Sequence, residues 1–418
     1  MLRRILFLHH SFPGPFRHLA ARFAAHDDTS VVFLSEFRRK EFRLPGVRHI
    51  TVPGARTVEL PDGLDPAEQE FVGMLRHGAR MANALLRLKR DGFVPDIVYA
   101  SVGMGNGFYL KDIYPDTFYA LHADWFYTKG TNYTFFHRER ERSPVDFAPA
   151  RMRNLHQLNA LAECDLAVTA TEWQKMQYPR ALSRELHVMH EGVDTDFFAP
   201  AAKVRFVSDE IDLSHVSELV TFSGRSAEPF RGFPQFYRSL PRLLAARPDC
   251  HVLIMIDHIR NRRRNDPANT RDVLAELQAE VQVDTSRVHV LGFRPYAEYR
   301  RLLQASTVHV YLTAPYSLSC GLFEAMSCGG LVVGSDTAPV REVLQHGQNG
   351  FLCDFWDKDM LADTITTLLA RSESMQPIRN AARQTILDEY NLTSTSAEHE
   401  QLLLRKYEEW RGQEHVPA

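Results

Sequence analysis

The sequence predicts an α/β protein made of two Rossmann-like domains. The chain has 418 residues, which is too long for one ordinary hydrophobic core and fits two domains of about 200 residues each. Its first apolar run, residues 5–8, passes through a turn-rich loop into a helical stretch, as at the opening of a doubly wound domain. A second set of apolar runs begins near residue 219. The pattern of a doubly wound domain therefore occurs twice.

Composition and charge favour a globular enzyme of the cytoplasm. Hydrophobic residues make up 44% and charged residues 24% of the chain, which is typical of such enzymes. The formal net charge of -3 gives no reason to expect a nucleic-acid partner. The five cysteines are odd in number and lack metal-ligand spacing, which favours a reducing compartment. The apolar run near the N-terminus ends at His9 and His10, too soon for a signal peptide, and no apolar stretch is long enough to span a bilayer.

In the first half, apolar runs predict strands and periodic stretches predict helices. Thr171 is placed to cap a helix. The helices are predicted over residues 16–25, 68–89 and 151–162, and the strands over residues 5–8, 31–34, 96–100, 118–121, 166–169 and 186–189.

Loops after three of these strands are candidates for ligand contact, because ligands of doubly wound domains bind at the carboxyl ends of strands. Gly14 lets a phosphate or sugar approach the backbone, or it simply makes a turn. A glycine-rich loop at residues 103–107 has the same two interpretations. His122 and Asp124, just past the strand at 118–121, are either site residues or structural ones.

In the second half, two arginines follow the first predicted strand. Arg225 and Arg231 suit a diphosphate, because a guanidinium binds phosphate oxygens bidentately; the alternative is an ordinary charged surface. The strands are predicted over residues 219–222, 252–256, 288–291, 308–312 and 331–334, and helices over residues 319–327, 360–371 and 396–410.

The stretch at residues 314–355 carries the most specific pattern. Small residues surround the start of its helix, and a helix N-terminus exposes N–H groups and partial positive charge that suit a phosphate. Glu324 lies among apolar neighbours in that helix, and a carboxylate there needs a hydrogen-bond partner. That partner is either elsewhere in the protein or a hydroxyl-rich ligand beside the phosphate.

This stretch resembles the donor-site signature of family 4 retaining glycosyltransferases. The matching segments are 324–329, 332–335, 342–343 and 349–350. Residues 190–200 resemble the family's crossing between domains, and the loop around Gly14 resembles the opening loop of a bacterial subgroup. The family has two glutamates seven residues apart in this motif; the second matches Glu324, but the first falls on Tyr316.

The resemblance implies a role for each candidate residue. Glu324 would bind the ribose of a sugar nucleotide, Tyr316 would lie at the donor sugar, and Arg294 would lie in the loop that contacts the base. His122 would point towards the donor sugar, with Asp124 as the nearby acidic residue. The diphosphate would be held by Arg225, by Arg231 in place of the family's lysine, and by the helix start at Ser319, Cys320, Gly321 and Leu322; Gly14 would lie on the donor side and Gly103, Gly105 and Asn106 on the acceptor side.

The resemblance also implies the glycosyltransferase B fold, two Rossmann-like domains facing across a cleft. The expected boundaries are an acceptor-side domain at 1–197, a donor domain at 198–388, and a terminal helix at 389–418 that packs back on the first domain. The implied reaction moves a sugar from a nucleoside-diphosphate sugar to an acceptor hydroxyl with retention, without cofactor or metal. The acceptor is a glycan, a lipid-linked compound or a small molecule.

Several alternatives stay open. A sugar-nucleotide epimerase or a phosphorylase can use the same two-domain plan, and the departure at Tyr316 keeps a non-catalytic nucleotide-sugar-binding subunit open. Basic residues at 38–43 can attract an anionic, lipid-linked acceptor at the inner membrane face, although such runs are usually solvated. Residues 133–153 form an acceptor-side lid or, as we prefer, an exposed helix. Residues 260–264 are expected in an exposed basic loop.

Overall fold

The computed structural model describes residues 3–38, 42–52, 60–128, 136, 143–225, 227–256 and 273–413. The chain divides into two compact units. The first unit consists of Met1–Gly192 together with Leu392–Ala418, and the second is Val193–Asn391. The chain therefore leaves the first unit once and returns to it, and the two crossings lie within a few residues of the predicted ones. The interpretations of residues 260–264, of 39–41 within 38–43, and of most of 133–142 fall outside the described residues.

The first unit contains a seven-stranded sheet in which every pairing is parallel. The spatial order is β3-β2-β1-β4-β5-β6-β7, so the chain builds outwards from β1 in one direction and then, from β4, in the other. Its strands are β1 (Arg3–Leu8), β2 (Thr29–Ser35), β3 (Val47–Thr51), β4 (Ile97–Ser101), β5 (Phe118–His122), β6 (Leu166–Thr169) and β7 (Leu186–Val188).

Two helices of the first unit begin at residues whose side chains cap them. Asp65 accepts hydrogen bonds from the backbone of Ala67 and Glu68, and Glu68 returns one, which forms a capping box. The predicted cap at Thr171 is confirmed, because its hydroxyl accepts from the Gln174 N–H. The helices are α1 (Arg17–Ala24), α2 (Pro66–Arg90), α3 (Leu110–Ile113), α4 (Ala148–Glu163), α5 (Glu172–Gln177) and α6 (Arg180–Ser183).

The sheet of the first unit is buried on both faces. Successive side chains of a strand point to opposite faces; accordingly Ile5 and Phe7 belong to one apolar cluster, and Leu6 and Leu8 to another. The helix Leu392–Arg411 adds Leu403 and its neighbours to the cluster with Ile5 and Phe7. Residues of this helix are therefore part of the core around β1.

The second unit contains a six-stranded sheet, again parallel throughout. Its spatial order is β10-β9-β8-β11-β12-β13. The strands are β8 (Glu218–Gly224), β9 (Cys250–Ile256), β10 (Val288–Leu291), β11 (Val308–Tyr311), β12 (Val332–Ser335) and β13 (Phe351–Cys353). The helices are α7 (Phe233–Ala246), α8 (Val273–Glu280), α9 (Tyr296–Ala305), α10 (Cys320–Ser327), α11 (Ala338–Arg341), α12 (Lys358–Ala370) and α13 (Gln376–Glu389); the helix Leu392–Arg411 of the first unit is α14.

Two parts of the motif at residues 314–355 support the fold of the second unit. Gly329 follows α10 with φ of 70°, the left-handed conformation that ends helices and that glycine adopts without strain. Asn349 is buried, and its amide donates to the Val343 carbonyl and the Thr385 hydroxyl while its oxygen accepts from the Gln345 N–H. This asparagine therefore fastens the chain after α11 to α13.

Two features are absent from the portion of the chain that the structure describes. No helix there is long and apolar enough to cross a membrane. Nor do three or more His, Cys, Asp or Glu side chains of those residues form a group that can hold a metal ion.

Candidate functional site

The strand order of the second unit places a ligand-binding position between β8 and β11. Strands β9 and β10 extend to one side of β8, and β12 and β13 to the other side of β11. At such a reversal, the loops after the two central strands leave in opposite directions and open a crevice at their carboxyl ends. The loop after β8 contains Arg225 and Arg231, and the loop after β11 contains Tyr316 and leads into α10. The sequence-predicted donor residues of these two loops are therefore brought together.

The Arg231 side chain reaches from the loop after β8 to the loop after β11. Its guanidinium donates to the Thr313 hydroxyl at 3.0 Å and to the Ser317 carbonyl at 2.9 Å, so it ties the two loops to each other. The next residue, Gly232, has φ of 70°, and a Cβ there would lie 2.3 Å from the Cβ of Leu312. Only glycine fits this approach, which sets where Arg231 enters the crevice.

Tyr316 lies beside Arg231, and Arg225 lies earlier in the loop after β8. Arg225 directly follows β8 and is exposed. The half-buried ring of Tyr316 meets Phe230 edge-on at 5.8 Å and lies 5.7 Å from the Arg231 guanidinium carbon. Where the family has a carboxylate, this chain therefore has an aromatic surface next to a cation.

The N-terminus of α10 faces the same loops. Ser319 occupies the N-cap position, but its side chain makes no capping hydrogen bond. Its N–H instead donates to the Tyr311 hydroxyl at 2.9 Å. Cys320 is exposed, Gly321 is half-buried and Leu322 is buried. The first turn of the helix is thus positioned from the end of β11, and this position suits an anion.

Glu324 has a partner that sequence analysis did not identify. Its side chain is buried with 8% exposure, and the Tyr299 hydroxyl, on α9, hydrogen-bonds to it and to Ser223 at the end of β8. Burial first and the Glu324 carboxylate second raise the pKa of Tyr299 well above its usual range. Of the two alternatives for Glu324, a partner within the protein is therefore present. Tyr299 was missed because it lies far along the chain from both of its partners and belongs to no recognised motif.

Arg294 is already paired with carboxylates. Its guanidinium lies 2.5 Å from Glu210 and 3.7 Å from Glu298. The neighbouring Phe293 is 53% exposed, in the loop after β10. The structure therefore places the predicted base-contacting loop at the carboxyl end of a strand, with its arginine engaged by two acidic side chains.

In the first unit, the backbone at residue 14 passes so close to the His9 side chain that only glycine fits there. Gly14 has φ of 53°, and a Cβ would lie 2.3 Å from the Nδ1 atom of the buried His9. That nitrogen lies 2.7 Å from the Ser11 carbonyl oxygen and 3.1 Å from the Ser11 backbone nitrogen. Gly14 therefore lies in a tight turn that follows β1.

The structure separates His122 from Asp124. His122 is the last residue of β5, rather than just past it, and is buried against Phe16. Asp124 is exposed, and its carboxylate acts on the pKa of Tyr178, which burial and this carboxylate raise. The two predicted catalytic side chains therefore have different surroundings.

His122 belongs instead to a cluster around Glu191. Burial alone would raise the pKa of Glu191, but His190, His122 and His399 lower it below its usual value. The Gly192 N–H donates to His190 Nδ1, so neutral His190 carries its proton on Nε2, which lies 3.8 Å from Glu191. Glu191 lies within the recognised crossing segment at 190–200, but it was not singled out from the sequence because His122 and His399 come from β5 and α14.

The loop with Gly103, Gly105 and Asn106 packs tightly on α2. Gly105 has φ of 87°, and a Cβ there would lie 2.7 Å from the Met74 carbonyl. Asn106 is buried with 2% exposure, and its Oδ1 atom faces Nε2 of His77 at 2.5 Å. The predicted acceptor-side loop is therefore a fixed turn after β4.

Comparisons with known proteins first define the fold class. The structure is similar to sucrose-phosphate synthase from Thermosynechococcus elongatus, with a TM-score of 0.75, 15% identity, and coverage of 96% of this chain and 98% of that one. It is also similar to the Anabaena protein Alr3699/HepE solved with UDP and glucose, with a TM-score of 0.71, 16% identity, and coverage of 96% and 100%. These neighbours have the glycosyltransferase B fold, and so does this chain.

Family models then identify the family. The model described as Glycosyl transferase family 4 group matches residues 27–198, and the model described as Glycosyl transferases group 1 matches residues 217–371. The two matches together span most of both units. The chain belongs to the family 4 glycosyltransferases.

Curated relatives match over shorter stretches. The chain is 29% identical over 99 residues to N-acetyl-alpha-D-glucosaminyl L-malate synthase of Bacillus anthracis, covering 24% of this chain and 26% of that protein. It is 28% identical over 216 residues to phosphatidyl-myo-inositol mannosyltransferase of Mycolicibacterium smegmatis, covering 51% and 48%. The chain thus spans about half the length of these relatives or less.

Proposed function

We propose that this protein transfers a sugar from a nucleoside-diphosphate sugar to a hydroxyl group of an acceptor. The observation that carries the proposal is the meeting of two loops at the strand reversal of the second unit. One loop supplies Arg225 and Arg231, and the other leads into the N-terminus of α10, where the Ser319 side chain makes no capping hydrogen bond. Two guanidinium groups and a helix N-terminus form a suitable environment for a diphosphate.

Glu324 is proposed to bind the ribose next to that diphosphate. The carboxylate lies one turn into α10 and has 8% exposure. Tyr299 occupies part of its hydrogen-bonding capacity, but an ionised carboxylate has about four acceptor sites. The same carboxylate can therefore accept from Tyr299 and from a ribose hydroxyl.

Relatives support the donor class. HepE was solved with UDP and with UDP-glucose. Two curated relatives are named as a mannosyltransferase and as an N-acetyl-alpha-D-glucosaminyl L-malate synthase. We propose retention at the anomeric carbon as the family resemblance implies. We also propose that Arg225 and Arg231, rather than a metal ion, stabilise the departing diphosphate, because fixed cations at that position supply the required positive charge.

The test is binding followed by turnover. Calorimetry with UDP, GDP, ADP and TDP should detect binding of at least one nucleoside diphosphate; absence of binding to all four contradicts the proposal. With the matching nucleotide-sugars, turnover should require an acceptor and persist in EDTA, and NMR of the product should show a retained anomeric configuration. Epimerisation without acceptor, or turnover that requires phosphate, would identify an epimerase or a phosphorylase instead.

Tyr316 favours a second candidate function. The tyrosine at this position has one neutral hydroxyl where glutamate has two charged oxygens, so it accepts fewer and weaker hydrogen bonds from sugar hydroxyls. A subunit that binds nucleotide-sugar without turnover is consistent with this replacement. Binding in calorimetry together with no turnover across the sugar and acceptor panel would favour it.

A further inference from the structure

Three buried polar side chains of the first unit form a cluster in which several polar atoms have no hydrogen-bond partner among the described residues. Glu36 directly follows β2, His77 lies on α2, and Asn106 lies in the loop after β4. His77 Nε2 lies 2.9 Å from Glu36 Oε1 and 2.5 Å from Asn106 Oδ1. The side chains of His77 and Glu36 are 1% and 0% exposed. Three separate elements thus converge on one imidazole.

The three side chains of this cluster keep hydrogen-bond donors and acceptors that they do not use with one another. A neutral imidazole carries one proton, so Nε2 can donate to only one of the two oxygens that face it, and the hydrogen bond goes to Asn106. Among the described residues, neither oxygen of Glu36, nor His77 Nδ1, nor Asn106 Nδ2 has a hydrogen-bond partner. Buried polar atoms without partners are costly and rare in native proteins. The cluster is therefore complementary to a group that both donates and accepts.

The cluster lies where the first unit is expected to bind a ligand. In its sheet, β2 and β3 extend to one side of β1 and β5 to β7 to the other side of β4, so the reversal lies between β1 and β4. Asn106 follows β4 and Glu36 follows β2, so both lie at the carboxyl edge beside that reversal. The loop is fixed there, because a Cβ at Gly78 would lie 3.0 Å from the Gly105 carbonyl.

We propose that Glu36 and Asn106 bind a hydroxyl of the acceptor, a polyhydroxy compound, and that His77 positions Asn106. This inference rests on the proposed function and names the acceptor class. His77 fixes Oδ1 of Asn106, so Nδ2 is the amide atom left to donate to a hydroxyl oxygen. The hydroxyl proton is donated to Glu36, whose ionised carboxylate can only accept. A cyclic polyol or sugar supplies neighbouring hydroxyls of this kind.

The test measures binding of three probes to the full chain by saturation-transfer NMR with saturating UDP: myo-inositol, methyl α-D-glucopyranoside and methyl α-D-mannopyranoside. At least one should bind the wild type. Asn106→Asp, which keeps the size but loses the donor, should weaken that probe about tenfold or more, since this corresponds to one lost hydrogen bond. Glu36→Gln should weaken it similarly. UDP affinity should stay within twofold.

His77 is tested by rescue. His77→Gln keeps an N–H donor of similar reach and should retain most of the probe affinity, whereas His77→Leu should lose it with the same UDP affinity. Asn154→Ala is the matched control, because Asn154 is a buried asparagine of the same unit whose amide is fully engaged with the Tyr127 backbone. It should lower the melting temperature without changing probe affinity.

The outcomes separate the alternatives. If no probe binds the wild type while UDP does, the acceptor inference fails and the proposed function stands. If Asn106→Asp and Glu36→Gln lower only the melting temperature and leave probe affinity within twofold, the cluster holds a structural water and the inference is wrong. If none of UDP, GDP, ADP and TDP binds, the proposed function fails first.

Discussion

At the scale of single residues, the proposed donor position combines side chains that differ in burial and in how many contacts hold them. Arg231 is fixed by two hydrogen bonds to the loop after β11, whereas Arg225 is exposed. Glu324 is buried and shared with Tyr299. Substitutions at these positions should therefore differ in how far they disturb the protein as well as the ligand.

Arg225→Ala and Arg231→Ala should each weaken nucleoside-diphosphate binding by roughly 1.5–3 kcal/mol, because a charge-assisted hydrogen bond is lost. Affinity for the free nucleoside should hardly change, since it carries no phosphate. Arg231→Ala should also lower the melting temperature, because it unties Thr313 and Ser317. Calorimetry with both ligands checks this. Arg242→Ala, at an exposed arginine paired with Asp363 on α12, is the control, and equal losses for diphosphate and nucleoside would refute the assignment.

Tyr316→Glu should change donor-sugar preference more than nucleotide affinity. The substitution restores the family's carboxylate, which accepts hydrogen bonds from sugar hydroxyls, beside the fixed guanidinium of Arg231. Relative turnover of several sugars that share one nucleotide gives the readout. Tyr316→Phe, which keeps the ring, is the control, and an unchanged order of sugars in Tyr316→Glu would contradict the placement.

Glu324→Gln should weaken the nucleoside diphosphate by roughly 1–3 kcal/mol and reduce the preference for ribose over 2′-deoxyribose. Tyr299→Phe removes only the hydroxyl that hydrogen-bonds to the carboxylate, so it separates loss of the ribose contact from loss of the internal one. Tyr299→Phe should retain the ribose preference. Calorimetry with the two sugars tests this, with circular dichroism to confirm folding; a full preference in Glu324→Gln would make Glu324 a structural residue.

At the scale of elements, α14 connects distant parts of the first unit. Glu400 of this helix accepts from Arg22 and lies 2.6 Å from His26, at the end of α1 and just beyond it. The Tyr99 hydroxyl of β4 lies 2.8 Å from His399 Nε2. Leu403 is fully buried in the cluster with Ile5 and Phe7. The helix therefore contributes both apolar and polar contacts to a core made by the first 170 residues or so.

Leu403→Ala should destabilise the first unit by about 2–5 kcal/mol, because it removes a fully buried leucine and leaves a cavity. Denaturant unfolding followed by circular dichroism measures the change. Leu86→Ala, on α2 with 44% exposure, is the matched control and should cost less than about 0.5 kcal/mol. Equal effects of the two substitutions would show that α14 is dispensable for the core.

At the scale of the whole molecule, the features that were predictable were local ones. Continuous apolar runs predicted the central strands, and the small residues and glycines around α10 predicted its start and end. The edge strands β3 and β13 were not predicted, because each lies at the margin of its sheet and is only partly buried. Such strands lack the apolar run that marks a central parallel strand.

Candidate site residues could be named from the sequence where a motif is contiguous, but residues whose partners are remote were missed. Arg225, Arg231 and Glu324 were singled out from short segments, whereas Tyr299 and the cluster of Glu36 and His77 depend on contacts between elements far apart along the chain. His122 and Asp124 are close in sequence, yet His122 acts on the pKa of Glu191 and Asp124 on the pKa of Tyr178. Spacing along one loop did not predict these surroundings, because other elements contribute them.

Buried histidines in both units should make stability depend on pH. Burial lowers the pKa of His309 to about 4, and burial followed by the charge of His122 lowers the pKa of His399 to about 4. His309 accepts or donates only at Thr221 among the described residues, and its Nε2 atom has no partner there. Between pH 6.5 and 4 the unfolded state therefore binds more protons than the folded state, so stability is full above pH 6.5 and falls as the pH is lowered.

For His309 the loss from pH 7 to pH 5 should be about 2 kcal/mol, from the difference between its folded pKa and the ordinary one. His309→Gln removes the titrating group, so the free energy of unfolding of this variant should fall less over the same range. Urea unfolding at several pH values compares the two proteins. Parallel pH profiles for variant and wild type would contradict the burial argument.

The division of the chain has a consequence for biosynthesis. The first unit needs Leu392–Arg411 to complete its core, yet all of Val193–Asn391 is translated in between. At about 5–20 residues per second, that intervening stretch of about 200 residues takes roughly 10–40 s to emerge. During this time the apolar surface around Ile5 and Phe7 lacks the helix that covers it, while the second unit is translated without interruption. On the ribosome, the second unit can therefore mature before the first.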